Sequence, residues 1–469
     1  MGSIIGAAVY PHPPIIIPTV GKGEEADAIR TIEAAKKAAE DIAKLKPSVI
    51  ILISPHAPLF EDHIYISASE KLKGSFARFG AGQTRMEFDN HLSLAKDIAN
   101  LASKRGISAG GLSSSLLRRY SISGDLDHGA LVPLYFVTKV YSGFKLVHTG
   151  ISGLSLNQHY SFGKCILEAV EQSNERALIL ASGDLSHRLK EDGPYGFHPS
   201  GPKFDNLVVN AIRKADVMSL VDIDYELCEQ AGECGLRSFV VMFGALDGYE
   251  VEPEVYSYEG PFGVGYAIAT LRVGNKTGER EFQEKILNRN KEKISEIRKS
   301  EDPYTALARL SLETYVKEGR IISVPEGLPE EMMANKAGVF VSLKKLGRLR
   351  GCIGTISATR KNISEEIIHN AISAGTRDPR FDPVEEDELA DIVYSVDVLK
   401  EPEPIKSIDE LDVKRYGVIV RSGYRTGLLL PNLEGVDTPE QQVEIALQKA
   451  GIRRGENYTM ERFEVIRHH

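Results

Sequence analysis

Val49-Ile50-Ile51-Leu52-Ile53 runs directly into Ser54-Pro55-His56. An unbroken apolar run of strand length, β-branched at every position but Leu52, reads as a strand buried on both faces, because a strand with one wet face alternates. Pro55 then forbids its continuation. Ile4–Val9, Phe144–His148 and Ala177–Ala181 repeat the pattern, and Gly263–Arg272 adds a β-rich segment with more alternation. Between these runs, Glu24–Lys46, His128–Lys139, Lys203–Ala215 and Leu236–Leu246 carry apolar residues at helical spacing, the first ended by Pro47. Continuous apolar strands separated by helices predict an α/β domain, with a mostly parallel or mixed sheet covered by helices.

The pattern stops near Val273-Gly274-Asn275. A charged helical segment follows, and Asp302-Pro303-Tyr304 opens a second unit. There the expected helices are Tyr304–Glu318, Ile363–Ala374 and Pro439–Ala450, and the expected strands Gly338–Leu343, Ile392–Leu399 and Gly417–Arg421, an α+β arrangement. The expected division is therefore residues 1–275, a linker at 276–300, and residues 301–469.

Composition narrows the function classes. The chain has 469 residues, 42% hydrophobic and 26% charged, an ordinary globular balance. Its net charge is −9, of which −6 falls on residues 301–469. Neither part has the basic excess that nucleic acid or an anionic membrane favours, so neither is expected as a partner. The one basic run is Lys344, Lys345, Arg348 and Arg350. Apolar runs are strand-sized, and Met1-Gly2-Ser3-Ile4-Ile5 lacks the basic region of a secretory signal. With four cysteines, a disulfide framework is excluded and a cytoplasmic location is expected.

Nine of the twelve histidines lie in the first 200 residues. His12 in Tyr10-Pro11-His12-Pro13-Pro14, His56 in Ser54-Pro55-His56, and His187 in Gly183-Asp184-Leu185-Ser186-His187 each follow the carboxyl end of an expected strand. In an open α/β sheet those loops emerge on one side, where ligands bind. Three convergent imidazoles suit a transition metal. His63, His91, His148, His159 and His198 lack that context and read as ordinary hydrogen-bonded residues. Two helix starts add chemistry: Asp127-His128, with Asp127 as a cap, and Glu233-Cys234 before the apolar helix at Leu236.

These residues, in this order across residues 1–275, resemble the class III (LigB-type) extradiol ring-cleavage dioxygenases and their relatives in the Memo family. The resemblance implies Fe(II) held by His12, His56 and a carboxylate, for which Glu233 is the best match. It implies His187 as the catalytic histidine that takes and returns a substrate proton, and His128 as a donor to substrate or oxygen. The implied reaction is oxidation by O2 of a small catecholic or aminophenolic substrate, an oxidoreductase activity in aromatic compound metabolism. The Memo relatives offer the alternative: a cysteine ligand, here Cys234, with zinc or copper in a metal-binding scaffold or redox protein.

Leu349-Arg350-Gly351-Cys352-Ile353-Gly354-Thr355, Arg377-Asp378-Pro379-Arg380-Phe381 and Gly427-Leu428-Leu429-Leu430-Pro431 resemble the AMMECR-type domain. The activity of that family is not established. Its association with Memo-like and radical-SAM proteins implies a radical-SAM-associated partner, and an oligomer is compatible with the sequence. Read from the residues themselves, Cys352 flanked by small neighbours, with Arg350, Arg377, Asp378 and Arg380, forms a second candidate site. The competing reading is a small buried cysteine beside a salt-bridged loop.

Overall fold

The computed structural model describes residues 1–469 except 113, 120, 121, 346, 347, 434, 435 and 454. Two compact units make up the chain, Met1–Asn288 and Arg289–His469.

The first unit is built on β1 (Ser3–Tyr10), β2 (Val49–Ile53), β3 (Lys145–Thr149), β4 (Arg176–Ser182), β5 (Tyr249–Glu259) and β6 (Tyr266–Lys276). Their order in the sheet is β3-β2-β4-β1-β6-β5. The first four are parallel; β6 is antiparallel to β1, and β5 to β6. The mixed sheet is covered on both faces. Val49, Ile51 and Ile53 enter one core, with residues of α2 (Leu92–Lys104), α4 (Leu156–Gln172), α5 (Ser200–Lys214) and α7 (Leu236–Ala245). Ile50 and Leu52 enter the other, against α1 (Ile29–Leu45) and α3 (His128–Thr138). A short helix, α6 (Tyr225–Ala231), precedes α7.

The helix expected from Glu24 begins only at Ile29, after a 3-10 turn over Glu24–Ala28. Its first turn is fastened from β5, since Thr31 donates through both N (2.7 Å) and Oγ (2.6 Å) to Glu259. That carboxylate supplies the acceptor an N-terminal N–H lacks. Helices α4 and α7 touch backbone to backbone. A Cβ at Gly163 would run into the Val241 carbonyl oxygen, and one at Gly244 into that of Tyr160.

The second unit has an antiparallel sheet of β7 (Val339–Lys345), β8 (Arg348–Gly354), β9 (Ile392–Leu399) and β14 (Val465–His468), ordered β8-β7-β9-β14. Helices α8 (Pro303–Glu318) and α9 (Ile363–Thr376) pack on the face bearing Val339, Val341 and Leu343. A second sheet, β10 (Glu403–Ile405), β11 (Gly417–Ser422), β12 (Arg425–Leu429) and β13 (Thr459–Phe463), is ordered β10-β13-β11-β12 and packs with α10 (Pro439–Ala450). Phe340, Leu399, Ile419, Leu428 and Phe463 join the two sheets. Helix Gln283–Ser300 crosses the division between the units. Among the described residues, no helix is long and apolar enough to cross a membrane.

Candidate metal centre

The parallel strands end side by side, so the loops after Tyr10, Ile53 and Ser182 meet. His12 is buried there, and its Nε2 lies 2.9 Å from Nε2 of His56. On its far side, His12 Nδ1 lies 2.9 Å from Ser182 Oγ, and the Ser182 hydroxyl donates to the Gly129 carbonyl oxygen at 2.6 Å. A hydroxyl has one proton, so Ser182 accepts from His12 Nδ1–H. That fixes the tautomer and leaves the His12 Nε2 lone pair directed at His56. The backbone N–H of His12 is held by Asp184 Oδ1 at 2.8 Å.

A third imidazole closes the group. His128 begins α3, capped by Asp127, whose Oδ1 accepts from Ala130 N at 3.1 Å and from Ser54 Oγ at 2.5 Å. Asp127 Oδ2 lies 3.2 Å from Nε2 of buried His148 on β3. The carboxylate thereby ties the ends of β2 and β3 to the helix that presents His128. Ring centroids of His56 and His128 are 4.2 Å apart, and those of His12 and His56 4.7 Å. One ligand atom from each of His12, His56 and His128 lies within 4.8 Å of the others.

Burial disfavours the charged form of His12 and His128. It depresses His12 well below the usual histidine range, with His56 adding to the effect. His128 falls to about 3 through burial and then its neighbours His56 and His12. Burial raises Asp184 to about 6. Asp127 goes the other way: burial opposes its charge, yet the hydrogen bonds from His148 and Ser54 hold it far below the carboxylate range. Convergent imidazoles with one lone pair fixed in direction are a donor set for a divalent transition metal.

The expected carboxylate ligand is placed elsewhere. Glu233 Oε2 accepts from Leu236 N at 2.7 Å, and its Oε1 lies 4.0 Å from Arg237 Nη1. An open N–H at the start of α7 attracts it more directly than the histidines do. Cys234, the next residue, faces the other way, with Sγ 3.6 Å from His12 Nε2 and 3.7 Å from the Asp184 carbonyl oxygen. His128, read from sequence as a donor to substrate, stands within the imidazole group itself.

His187 lies at the rim. Its backbone N–H donates to the Ala231 carbonyl oxygen at 3.1 Å, and its ring stacks on Tyr195 at 5.2 Å and 28°. Its buried Nε2 has no protein partner among the described residues. Burial lowers its pKa, and the charges of Asp184 and His56 act on it. Phe79 meets His128 edge-on at 5.5 Å. Of the remaining histidines, His63 bonds Ser108 Oγ, His91 caps α2 and bonds Glu175, His159 bonds the Ser155 carbonyl oxygen, and His198 accepts from Ser200 N. Ser54, Ser182 and His148, the last of these read from sequence as an ordinary hydrogen-bonded histidine, support the group from within an apolar strand or at its end, where only strand order reveals their neighbours.

In the second unit, Cys352 N donates to Asp378 Oδ2 at 2.8 Å, and Arg380 binds Asp378 through two bonds of 2.9 and 2.6 Å. Arg350 does not join them. It forks onto Glu388 at 3.0 and 2.7 Å, and Lys345 reaches the same carboxylate at 2.9 Å. Arg377 follows the last turn of α9, its N–H donating to the Ser373 carbonyl oxygen, and no bond joins it to Cys352. The Arg348 side chain lies outside the described residues. Burial raises the Cys352 thiol above its ordinary pKa.

Residues 6–269 match the family described as the catalytic LigB subunit of aromatic ring-opening dioxygenase, and residues 305–468 match AMMECR1. Protein CA_C1420 of Clostridium acetobutylicum is 46% identical over 99% of both chains. A Thermotoga maritima protein is 51% identical over 35% of this chain and 98% of its own. A solved structure, that of Pyrococcus horikoshii PH0010, covers 35% of this chain and 88% of its own at 33% identity, with a TM-score of 0.33.

Proposed function

The chain belongs to the LigB family and carries an AMMECR1 domain behind its LigB domain, and from that membership we propose that unit 1 is a metal-dependent oxidoreductase acting on a small catecholic or aminophenolic substrate. The observation that carries the reading is the pair of facing Nε2 atoms of His12 and His56, 2.9 Å apart, with His128 beside them. Iron(II) held there would supply the redox chemistry that ring opening by O2 requires. The rest falls to the chain. Ser182 and Asp184 fix the ring and backbone of His12. The Asp127–His148 pair fixes the entry of α3. His187, neutral and with an unpartnered Nε2, accepts a hydroxyl proton from the substrate and returns it, a task suited to an imidazole held in its basic form.

Cys234 supports a second reading. A thiol 3.6 Å from His12 Nε2, with Glu233 turned to its helix, suits a Memo-like centre holding copper or zinc without ring cleavage. Metal content of anaerobically purified wild type, His12→Ala, Glu233→Ala and Cys234→Ala chains separates the two. The enzyme reading expects about one iron per chain, lost in His12→Ala and kept in Glu233→Ala, with O2 uptake on adding catechols. Copper or zinc that depends on Cys234, with no O2 uptake, overturns it in favour of the second.

A further inference from the structure

The backbone that carries His187 is fastened at three points. Leu185 N donates to the Gly265 carbonyl oxygen at 2.8 Å, Ser186 N to Asp205 Oδ1 at 2.7 Å, and His187 N to the Ala231 carbonyl oxygen at 3.1 Å. The imidazole has no such hold. Its Nε2 is buried without a partner, and no hydrogen bond reaches its Nδ1 among the described residues. His12 shows the contrast, its Nδ1 being bonded to Ser182. An imidazole that moves protons is ordinarily oriented by a hydrogen bond at its second nitrogen. Another contact has to orient His187.

Tyr195 makes that contact. The two ring centroids are 5.2 Å apart and the planes 28° from parallel, an offset aromatic pair. Tyr195 is 63% exposed, and its hydroxyl has no protein partner among the described residues, so it acts through its ring face. The chain presents this ring on a closed excursion over residues 188–198. Leu189 N donates to the Gly263 carbonyl oxygen at 3.0 Å and Lys190 Nζ to that of Pro261 at 2.7 Å. Gly193 N and Gly196 N close two successive turns, onto the carbonyl oxygens of Lys190 and Gly193. Gly196, at φ 71°, takes the left-handed conformation that returns Phe197 to Leu189, and His198 N then donates to the Arg188 carbonyl oxygen at 3.1 Å. Gly193 lies so close to Gly263 that a Cβ on it would meet the Gly263 Cα at 3.2 Å. Backbone bonds thus place Tyr195, and Tyr195 places the imidazole.

We propose that Tyr195 is the positioning residue of His187, its stacked ring face doing the orienting that a hydrogen bond to Nδ1 does for other proton-moving histidines. The inference rests on the reading of His187 as the residue that takes and returns the substrate proton. Stacking fixes the plane of the imidazole and occupies neither nitrogen, so Nε2 stays free for a hydroxyl of the substrate.

The test uses the full chain, its histidine rings labelled with carbon-13 and read by NMR with diamagnetic zinc added. Loss of signals in His187→Gln assigns those of His187. Protons over an aromatic face are shifted upfield. The His187 ring signals should lie upfield in wild type, move downfield in Tyr195→Leu and return in Tyr195→Phe. The other histidine signals, unmoved, report that each variant is folded. With catechol as the probe, O2 uptake by the iron-loaded chain should show kcat lowered about 100-fold in Tyr195→Leu, the cost of a misdirected group. KM should stay within about twofold, and Tyr195→Phe should restore kcat. His187 signals that ignore Tyr195→Leu overturn the proposal, as does a Tyr195→Leu kcat equal to that of wild type. No O2 uptake by wild type, with the signals moving as expected, overturns the enzyme reading and leaves Tyr195 as the residue that orients His187.

Discussion

Ser182 orients His12 of the candidate metal centre with one hydroxyl. Its proton goes to the Gly129 carbonyl oxygen, so it can only accept from His12 Nδ1. Ser182→Ala should therefore weaken metal binding about 10–100-fold, the usual cost of losing such a supporting bond, as measured by competition with a chelator. His187→Ala should retain metal and lose turnover; loss of metal instead would make His187 a ligand. Asp205 gives a pH signature. Buried in α5, it accepts from Ser186 N and Tyr258 Oη at 2.7 Å each, and burial raises it to about 7. The unfolded carboxyl titrates near ~4. Between these values the folded chain keeps a proton that the unfolded chain has lost. The stabilisation is thus complete below about pH 4 and lost as pH rises through about 7. Urea unfolding should show this loss, up to about 4 kcal/mol, in wild type but not in Asp205→Asn. His12 and His56 were legible in sequence because strand ends mark them, whereas His128, which starts a helix, joins the group in place of His187. The choice between Glu233 and Cys234 was not legible, because it depends on which side chain turns back to cap α7.

Elements show the same division. Val49–Ile53 declared itself because both faces are buried, and each face enters a different core. Leu236–Ala245 was legible from its apolar content, and Asp127 as a cap from its place before an apolar helix. The strand Arg348–Gly354, which carries Cys352, is not among the strands expected from sequence, since glycines at 351 and 354 interrupt its apolar pattern. Gly351 is needed because a Cβ there would meet the carbonyl oxygen of Ala374 in α9. Such close approaches leave no periodic trace. The contact of α4 with α7 is the clearest case, with Gly163 and Gly244 each pressed on the opposite backbone. Gly163→Ala should force the helices apart and cost about 1–3 kcal/mol by chemical denaturation, although alanine is the better helix former. An unchanged midpoint would mean that the helices slide without loss.

At the scale of the whole chain, helix Gln283–Ser300 contradicts a clean linker. Phe282 and Ile286 pack into the core of unit 1. The later turns serve unit 2: Ile294 is buried, Arg298 donates from Nη2 to the Leu389 carbonyl oxygen at 2.6 Å, and the same nitrogen lies 3.5 Å from Glu313. Charge made this helix look solvated from end to end, while its few apolar residues fasten it. All donors of the candidate metal centre and their supports lie between His12 and Cys234, inside unit 1. A fragment 1–288 should then bind metal with the stoichiometry of the full chain. Fragment 289–469 should be more stable than 301–469 by about 2 kcal/mol, the worth of one buried isoleucine, and both midpoints can be read in urea. Equal midpoints would return residues 289–300 to the role of a spacer. Loss of metal from a folded 1–288 would mean that unit 2 supports the centre.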